Sequence, residues 1–500
     1  MPPAAPNHRP PQGGTAGDPD VLPGCEIDRR RTIILCLIAV AIGGVAVVVA
    51  RVLVALISFF TNLSFYGHLS LAEASPVGNT LGLGVILVPV IGALVIGVMA
   101  RYGSGAIRGH GIPEAMEQIL LNESNISPRI TILKPLSAAI SIGTGGPFGA
   151  EGPIIATGGA LGSLIGQLLH TTPDERKVLL AAGAAAGMSA IFGSPVSAVL
   201  LAIELLLFEY RPRSLIPVAL ASAVATGIRV TYAGTAGVFA MPAIAQPSGE
   251  ALASYVVIGA IVGLLAVFVT KALYYIEEGF ERLPVHWMWW PALGAVAVGV
   301  IGYFEPHTLG VGYDNIRDIL SGTIVGPALV SLVVLKYLSW SIALGSGTSG
   351  GTLAPLFTIG GGLGALIGAG TAALFPSLGV DPRIAALVGM AAMFAGASRA
   401  LLMSVVFAFE TTRQPIGLLP LLGGCSAAYL ISSLTMRYTI MTEKLARRGT
   451  YVPTEYVAVH PSELAQRDAA AVRSRQIDLR RLRSRRSGGA ASDPRTTELL

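Results

Sequence analysis

Charge is scarce in this chain: Asp, Glu, Lys and Arg make up 13% of its 500 residues. Soluble domains carry about 25% charged residues and use them to cover their surface. A large soluble globule therefore does not fit. Cysteine is scarcer still. Cys25, Cys36 and Cys425 stand far apart, with neither metal-ligand spacing nor a disulfide framework. They read as inert small apolar residues, and no metal or other cofactor is expected. The first 28 residues are rich in Pro, Gly and Ala and lack an apolar core, which argues against a secretory signal.

What the chain has instead is apolar sequence, 52% of the total, gathered in long blocks. One runs from Thr32 to Leu63 with Arg51 as its single internal charge; others run from Leu81 to Ala100, Ala251 to Thr270 and Trp287 to Tyr303. Crossing a bilayer takes roughly 20 apolar residues, so each block can span. Arg29, Arg30 and Arg31 precede the first block, which predicts a cytoplasmic N-terminus by the positive-inside rule. The end of the chain is polar and rich in arginine (Arg473, Arg475, Arg480, Arg481, Arg483, Arg485, Arg486). It reads as a cytoplasmic tail that sets topology, and a nucleic-acid partner is not expected. The expected organisation is a cytoplasmic segment over 1–31, a membrane domain over 32–448 and a basic tail over 449–500. Low charge and the missing signal fit a bacterial plasma membrane protein.

Glycine (61) and proline (32) are abundant inside the apolar regions, which is unusual for simple spanning helices. Breaks within a membrane are tolerated where the freed backbone is buried or lines a cavity. Three stand out: Gly109-His110-Gly111-Ile112-Pro113, the run from Gly143 to Pro153, and the run from Gly345 to Pro355. Each ends in a proline able to open a helix, where its missing N–H costs nothing. The second and third are alike, and Pro153 and Pro355 lie about 200 residues apart. This predicts two structural halves, near 32–230 and 251–436, with a binding site where they meet.

A helix N-terminus presents unpaired N–H groups and about half a positive charge. Several converging ends make an anion site without a fixed cation. Stripping a small ion of water costs on the order of 20 kcal/mol. Partial charges offset much of that while letting the ion leave. Tight packing through small residues explains one glycine-rich break equally well. Three breaks of the same form favour an anion site.

At these residues the chain resembles the CLC family of chloride channels and proton-coupled chloride transporters. Its three signatures read here as Gly109-His110-Gly111-Ile112-Pro113, Gly149-Ala150-Glu151-Gly152-Pro153 and Gly351-Thr352-Leu353-Ala354-Pro355. The resemblance implies an all-α polytopic fold: an antiparallel, inverted repeat of broken helices, about eighteen in all. It also implies a homodimer carrying one path for chloride or a related anion per subunit. Glu151 is then the gating glutamate, which occupies an anion position and leaves it when it takes a proton. His110, Gly111, Ile112, Gly149, Gly152, Thr352, Leu353 and Met441 become the anion-binding positions, and Lys134 tunes the field. Glu209, two residues before the Arg211-Pro212 pair, resembles the internal proton glutamate. A salt bridge to Arg211 or Arg213 is the other reading of Glu209. Glu204 reads as structural.

Three positions depart from the family pattern. His110 replaces the usual serine, so preference for chloride over nitrate or fluoride is open. An imidazole there donates one hydrogen bond or, once protonated, adds charge; alternatively it points away. Ala150 replaces an arginine and removes a positive charge beside Glu151. Met441 falls where a tyrosine closes the inner side of the site, and methionine has no hydrogen-bond donor. This predicts loose proton coupling and leaves a passive channel as the alternative to an antiporter. A serine hydrolase built on Ser346 or Ser349 is a distant third reading, for want of a partnered histidine.

Overall fold

The computed structural model describes residues 29–450 and residue 452. Cys25, the segment before residue 29 and the arginines of the tail lie outside them. Seventeen α-helices and no named strand occur among the described residues. They are α1 (Arg29–Thr61), α2 (Leu87–Tyr102), α3 (Ile112–Leu121), α4 (Pro128–Gly143), α5 (Glu151–Leu168), α6 (Pro173–Phe192), α7 (Pro195–Leu201), α8 (Pro212–Ala233), α9 (Gly249–Glu281), α10 (Trp290–Phe304), α11 (Tyr313–Ser321), α12 (Gly326–Gly345), α13 (Leu353–Leu374), α14 (Pro382–Ser398), α15 (Leu401–Thr412), α16 (Leu418–Thr435) and α17 (Glu443–Arg447). Among the described residues, eight helical segments are long and apolar enough to cross a membrane. Each apolar block of the sequence coincides with one of them, the second from its second residue, Gly82, onward. This is a multi-pass membrane protein.

Other helices are too short to cross. The α3 helix has 10 residues, α7 has 7, α11 has 9 and α15 has 12, against the roughly 20 that a span needs. They are half-helices, among which α3 begins at buried residues and α7 ends at one. Their termini need partners, because an unpaired buried N–H costs about as much as a lost hydrogen bond.

The packing repeats itself. Helices α5 and α6 cross through facing glycines. A Cβ on Gly158 would sit 2.2 Å from the Gly183 carbonyl oxygen, and a Cβ on Gly183 would sit 2.0 Å from that of Gly158. Helices α13 and α14 do the same. A Cβ on Gly360 would lie 2.5 Å from the Gly389 oxygen, and one on Gly389 would lie 2.4 Å from the Gly360 oxygen. Backbones approach this closely only where side chains are absent, the small-residue packing of membrane helices. Gly158 and Gly360 lie 202 residues apart, as do Pro153 and Pro355. The two halves are copies of one design.

They are also laced together. The Glu204 carboxylate, just after α7, accepts from the Leu402 and Met403 N–H groups at 3.0 and 2.9 Å, capping α15. The Glu410 carboxylate, on α15, accepts from Val196 and Ser197 at 3.0 and 2.9 Å, capping α7. Each half supplies the anionic cap that the other's half-helix needs.

Candidate functional site

The three breaks meet. Gly149 N–H donates to the Gly351 carbonyl at 3.2 Å, and Gly351 N–H donates back at 3.0 Å. This two-residue antiparallel bridge fastens the start of α5 to the start of α13. On the other flank Gly109 N–H donates to Thr348 O and Gly350 N–H donates to Gly109 O, both at 3.4 Å. The third break therefore lies between the first two and bonds to both.

Glycine is what permits the contact. Gly109 and Gly111 have φ of +94° and +98°, a region that side chains rarely adopt. A Cβ on Gly152 would fall 2.0 Å from the His110 carbonyl oxygen and 2.9 Å from the Gly351 Cα. One position thus touches all three breaks.

Two of the expected anion donors are already committed. Gly111 N–H donates to the Glu114 carboxylate at 2.6 Å, and Gly149 N–H belongs to the bridge. On α13 the first main-chain donor with an acceptor in its own helix region is Leu356, which bonds Thr352 O at 3.2 Å. Leu353 and Ala354 supply the end donors ahead of it. Pro355, like Pro153 on α5, has no N–H to leave unpaired.

Glu151 begins α5 and is 1% exposed. Its carboxylate lies within reach of the main-chain N–H groups of Glu151 itself and Ala354, of the Tyr313 hydroxyl and of the Lys336 field. Yet both carboxylate oxygens are buried without a well-aligned hydrogen bond. Tyr313 Oη, Thr352 Oγ1 and His110 Nδ1 share that condition. Buried polar atoms normally have partners. These orphans belong to residues at the starts of α5, α11 and α13 and at the first break.

Two lysines hold the surrounding loops. Lys134, 1% exposed on α4, donates to the carbonyls of Ile107 and Gly109 at 2.8 and 2.9 Å. Lys336, fully buried on α12, donates to those of Thr308 and Gly310 at 2.8 and 3.3 Å. The carbonyl pairs lie 201 residues apart and the lysines 202. Gly310-Val311-Gly312-Tyr313 is therefore a fourth break, the repeat mate of Gly109-His110-Gly111-Ile112. Gly310 N–H donates to Gly145 O at 3.2 Å, tying it to the second break. Sequence reasoning missed this break, with Lys336 and Tyr313. The usable signal was a Gly-x-Gly followed some 25 residues later by a lysine, occurring twice.

Met441 is fully buried. Its neighbour Ile440 is pinned through N–H to Ala397 O at 2.9 Å and through its own carbonyl to the Tyr274 hydroxyl at 2.8 Å. Glu209 accepts from Ser214 Oγ at 2.6 Å and pairs with Lys177 and Arg211, both at 3.8 Å. None of these partners belongs to a break. Ser346 donates to Ala343 O at 2.7 Å and Ser349 bonds Ser137 at 3.3 Å, so neither hydroxyl is set against a histidine. A cavity of about 520 Å³ opens beside the first break, lined by Arg108, Glu114, Glu117, Lys444 and Arg448 among others.

The family signature described as "Voltage gated chloride channel" matches residues 91–433. A "Putative chloride channel protein ClcB-like" of Ralstonia nicotianae is 28% identical over 366 residues, 72% of this chain and 85% of that protein. An "H(+)/Cl(-) exchange transporter ClcA" of Vibrio campbellii is 29% identical over 384 residues, 75% of this chain and 82% of its own. The solved structure of a slow cyanobacterial Cl-/H+ antiporter superposes with a TM-score of 0.73 at 22% identity, covering 85% of this chain and 99% of that one. A CLC-type fluoride/proton antiporter gives 0.70 at 22% identity, over 83% and 98%. With its signature matched over most of its length and its fold shared with these transporters, the chain belongs to the voltage gated chloride channel family.

Proposed function

We propose that the protein carries chloride or a related small inorganic anion across a bacterial plasma membrane, exchanging it for protons with Glu151 as the gate. The observation behind this is the Glu151 carboxylate, buried at the start of α5 within reach of an α13 end donor, with no completed hydrogen bond. A carboxylate there competes with an anion for the same N–H groups. Protonation removes its charge, and the site becomes available. Thr352, Leu353, Gly152 and Ile112 supply main-chain partial charge. His110 stands at the first break and Lys134 fixes that break's backbone. The relatives named as chloride–proton exchangers agree with the reading, which carries with it a homodimer with both termini cytoplasmic.

A second reading, an uncoupled anion channel, is favoured by two observations. Met441 offers no hydroxyl to the inner side of the site. Glu209, the candidate for internal proton delivery, is held by Ser214, Lys177 and Arg211.

Purified protein in liposomes separates these. Under the exchanger reading, an imposed chloride gradient drives protons uphill, and Glu151→Gln keeps anion flux while abolishing proton movement. Anion flux without proton movement in the parent protein establishes the channel. Failure to pass chloride, nitrate or fluoride overturns both.

A further inference from the structure

Glu151 is 1% exposed, and the side chains that act on it come from the other half of the molecule. Lys336 on α12 acts on it through its charge, and Tyr313, the first residue of α11, acts through its hydroxyl. The ring of Tyr313 is wedged edge-on against Phe192 and Phe239, with centroids 5.7 and 5.8 Å away. The backbone beneath it is fixed as well. Gly312, just before it, adopts φ +74°, and Lys336 bonds the Gly310 carbonyl at 3.3 Å. The tyrosine is therefore held at both ends, while its hydroxyl is buried with no completed hydrogen bond. The Glu151 carboxylate, which acts on that hydroxyl, is equally without a partner.

The geometry points to Tyr313 as the latch of the gate: its hydroxyl donates to the Glu151 carboxylate while that group occupies the start of α13, and so sets how readily the gate opens. This rests on Glu151 being the gate. The step moves no atoms between residues. The O–H swings onto a carboxylate oxygen, and the bond is lost when that oxygen is protonated or leaves. The hydroxyl favours the charged, seated carboxylate over its protonated form. Tyr313 is a positioning residue, acting on transport through Glu151.

The test is anion flux against pH in proteoliposomes for the parent, Tyr313→Phe, Glu151→Gln and the double variant. Phenylalanine keeps the ring packing and removes only the hydroxyl. The half-maximal pH of flux should rise by about one unit, a tenfold change in proton requirement, and flux at neutral pH should increase. In the Glu151→Gln background the same substitution should change nothing. Fluorotyrosine at position 313 keeps the shape and strengthens the donor, so it should move the half-maximal pH downward; this holds the test open if Tyr313→Phe folds poorly. A pH-dependent parent with an unshifted Tyr313→Phe overturns the latch alone. An effect of equal size in the Glu151→Gln background also overturns it. A parent that passes no anion overturns the transport reading instead.

Discussion

The break at Gly109–Ile112 and the break at Gly310–Tyr313 share a backbone and differ in their side chains. Both are Gly-x-Gly turns with positive φ at each glycine. Both have two carbonyls bound by a buried lysine about 25 residues downstream. Both bond through their first glycine to another break. One places His110 and Ile112 on this scaffold beside a cavity of about 520 Å³. The other places Val311 and Tyr313 there, against a cluster of aromatic rings. The neighbouring helix starts diverge in the same way, for Glu151 and Leu353 occupy matched places 202 residues apart. Duplication supplies the converging helix ends, and side chains at a few matched positions give the two breaks different chemistry.

The largest effect should come from disturbing the scaffold where all copies touch. Gly152→Ala puts a methyl 2.0 Å from one main-chain oxygen and 2.9 Å from the Gly351 Cα, and backbone yields little. Overpacking of this kind costs about 1–3 kcal/mol, and more where the surroundings cannot shift. We expect a lowered melting temperature in detergent and near-complete loss of flux. Gly370→Ala, on α13 with nothing within 4 Å, should be silent in both measurements. Equal behaviour of the two would show that the breaks are looser than their hydrogen bonds imply.

The lysines sharpen the comparison next. Lys134→Met and Lys336→Met each leave two buried carbonyls unpaired, at about 1–3 kcal/mol per unsatisfied group, with some relief from no longer burying a charge. Their losses in thermal stability should be similar. Their functional consequences should not be. Lys336 lies in the field of Glu151 whereas Lys134 faces His110 and Glu114. Only Lys336→Met should shift the pH dependence of flux. A similar shift from both would mean the two ends are coupled more closely than the side chains suggest.

His110 tests the same asymmetry from the other end. Restoring serine should change the preference among chloride, nitrate and fluoride by about tenfold, the scale of one hydrogen bond to a charged group, and leave the pH dependence alone. Unchanged selectivity, read from reversal potentials under mixed-anion gradients, would show that the ring points away from the path.

Much of this was legible in the sequence for a physical reason. Spans announce themselves because lipid demands long apolar blocks, and three breaks announce themselves because Gly and Pro runs have no other place in such blocks. The fourth was hidden because no proline follows it: Tyr313-Asp314 stands where the first break has Ile112-Pro113. It also follows the polar Glu305-Pro306-His307, so it read as an ordinary loop. Lys336 sits in an apolar helix with no local cue, and its partners appear only once the loop before α11 folds back. The environment of Glu209 was out of reach for a related reason. Lys177, one of its ion-pair partners, is far off in sequence, and only packing decides between an ion pair and a proton relay.

The smallest effect should come from the reciprocal caps, and it carries the sharpest distinction. Glu204 and Glu410 each accept two main-chain N–H groups from the opposite half. Replacing either with glutamine keeps one acceptor and removes the charge that complements the helix end, a change worth about 1 kcal/mol. If both are only caps, the melting temperatures of Glu204→Gln and Glu410→Gln should fall by the same small amount, with the ratio of protons to anions untouched. Glu204 also stands in the region between α7 and α8 that holds Glu209. A carboxylate buried in a membrane protein is a functional candidate by default. Loss of proton movement in Glu204→Gln but not in Glu410→Gln would break the symmetry and move the internal proton site from Glu209 to Glu204. Matched, silent outcomes would leave the chemistry where the side chains differ most, at Glu151 and Tyr313.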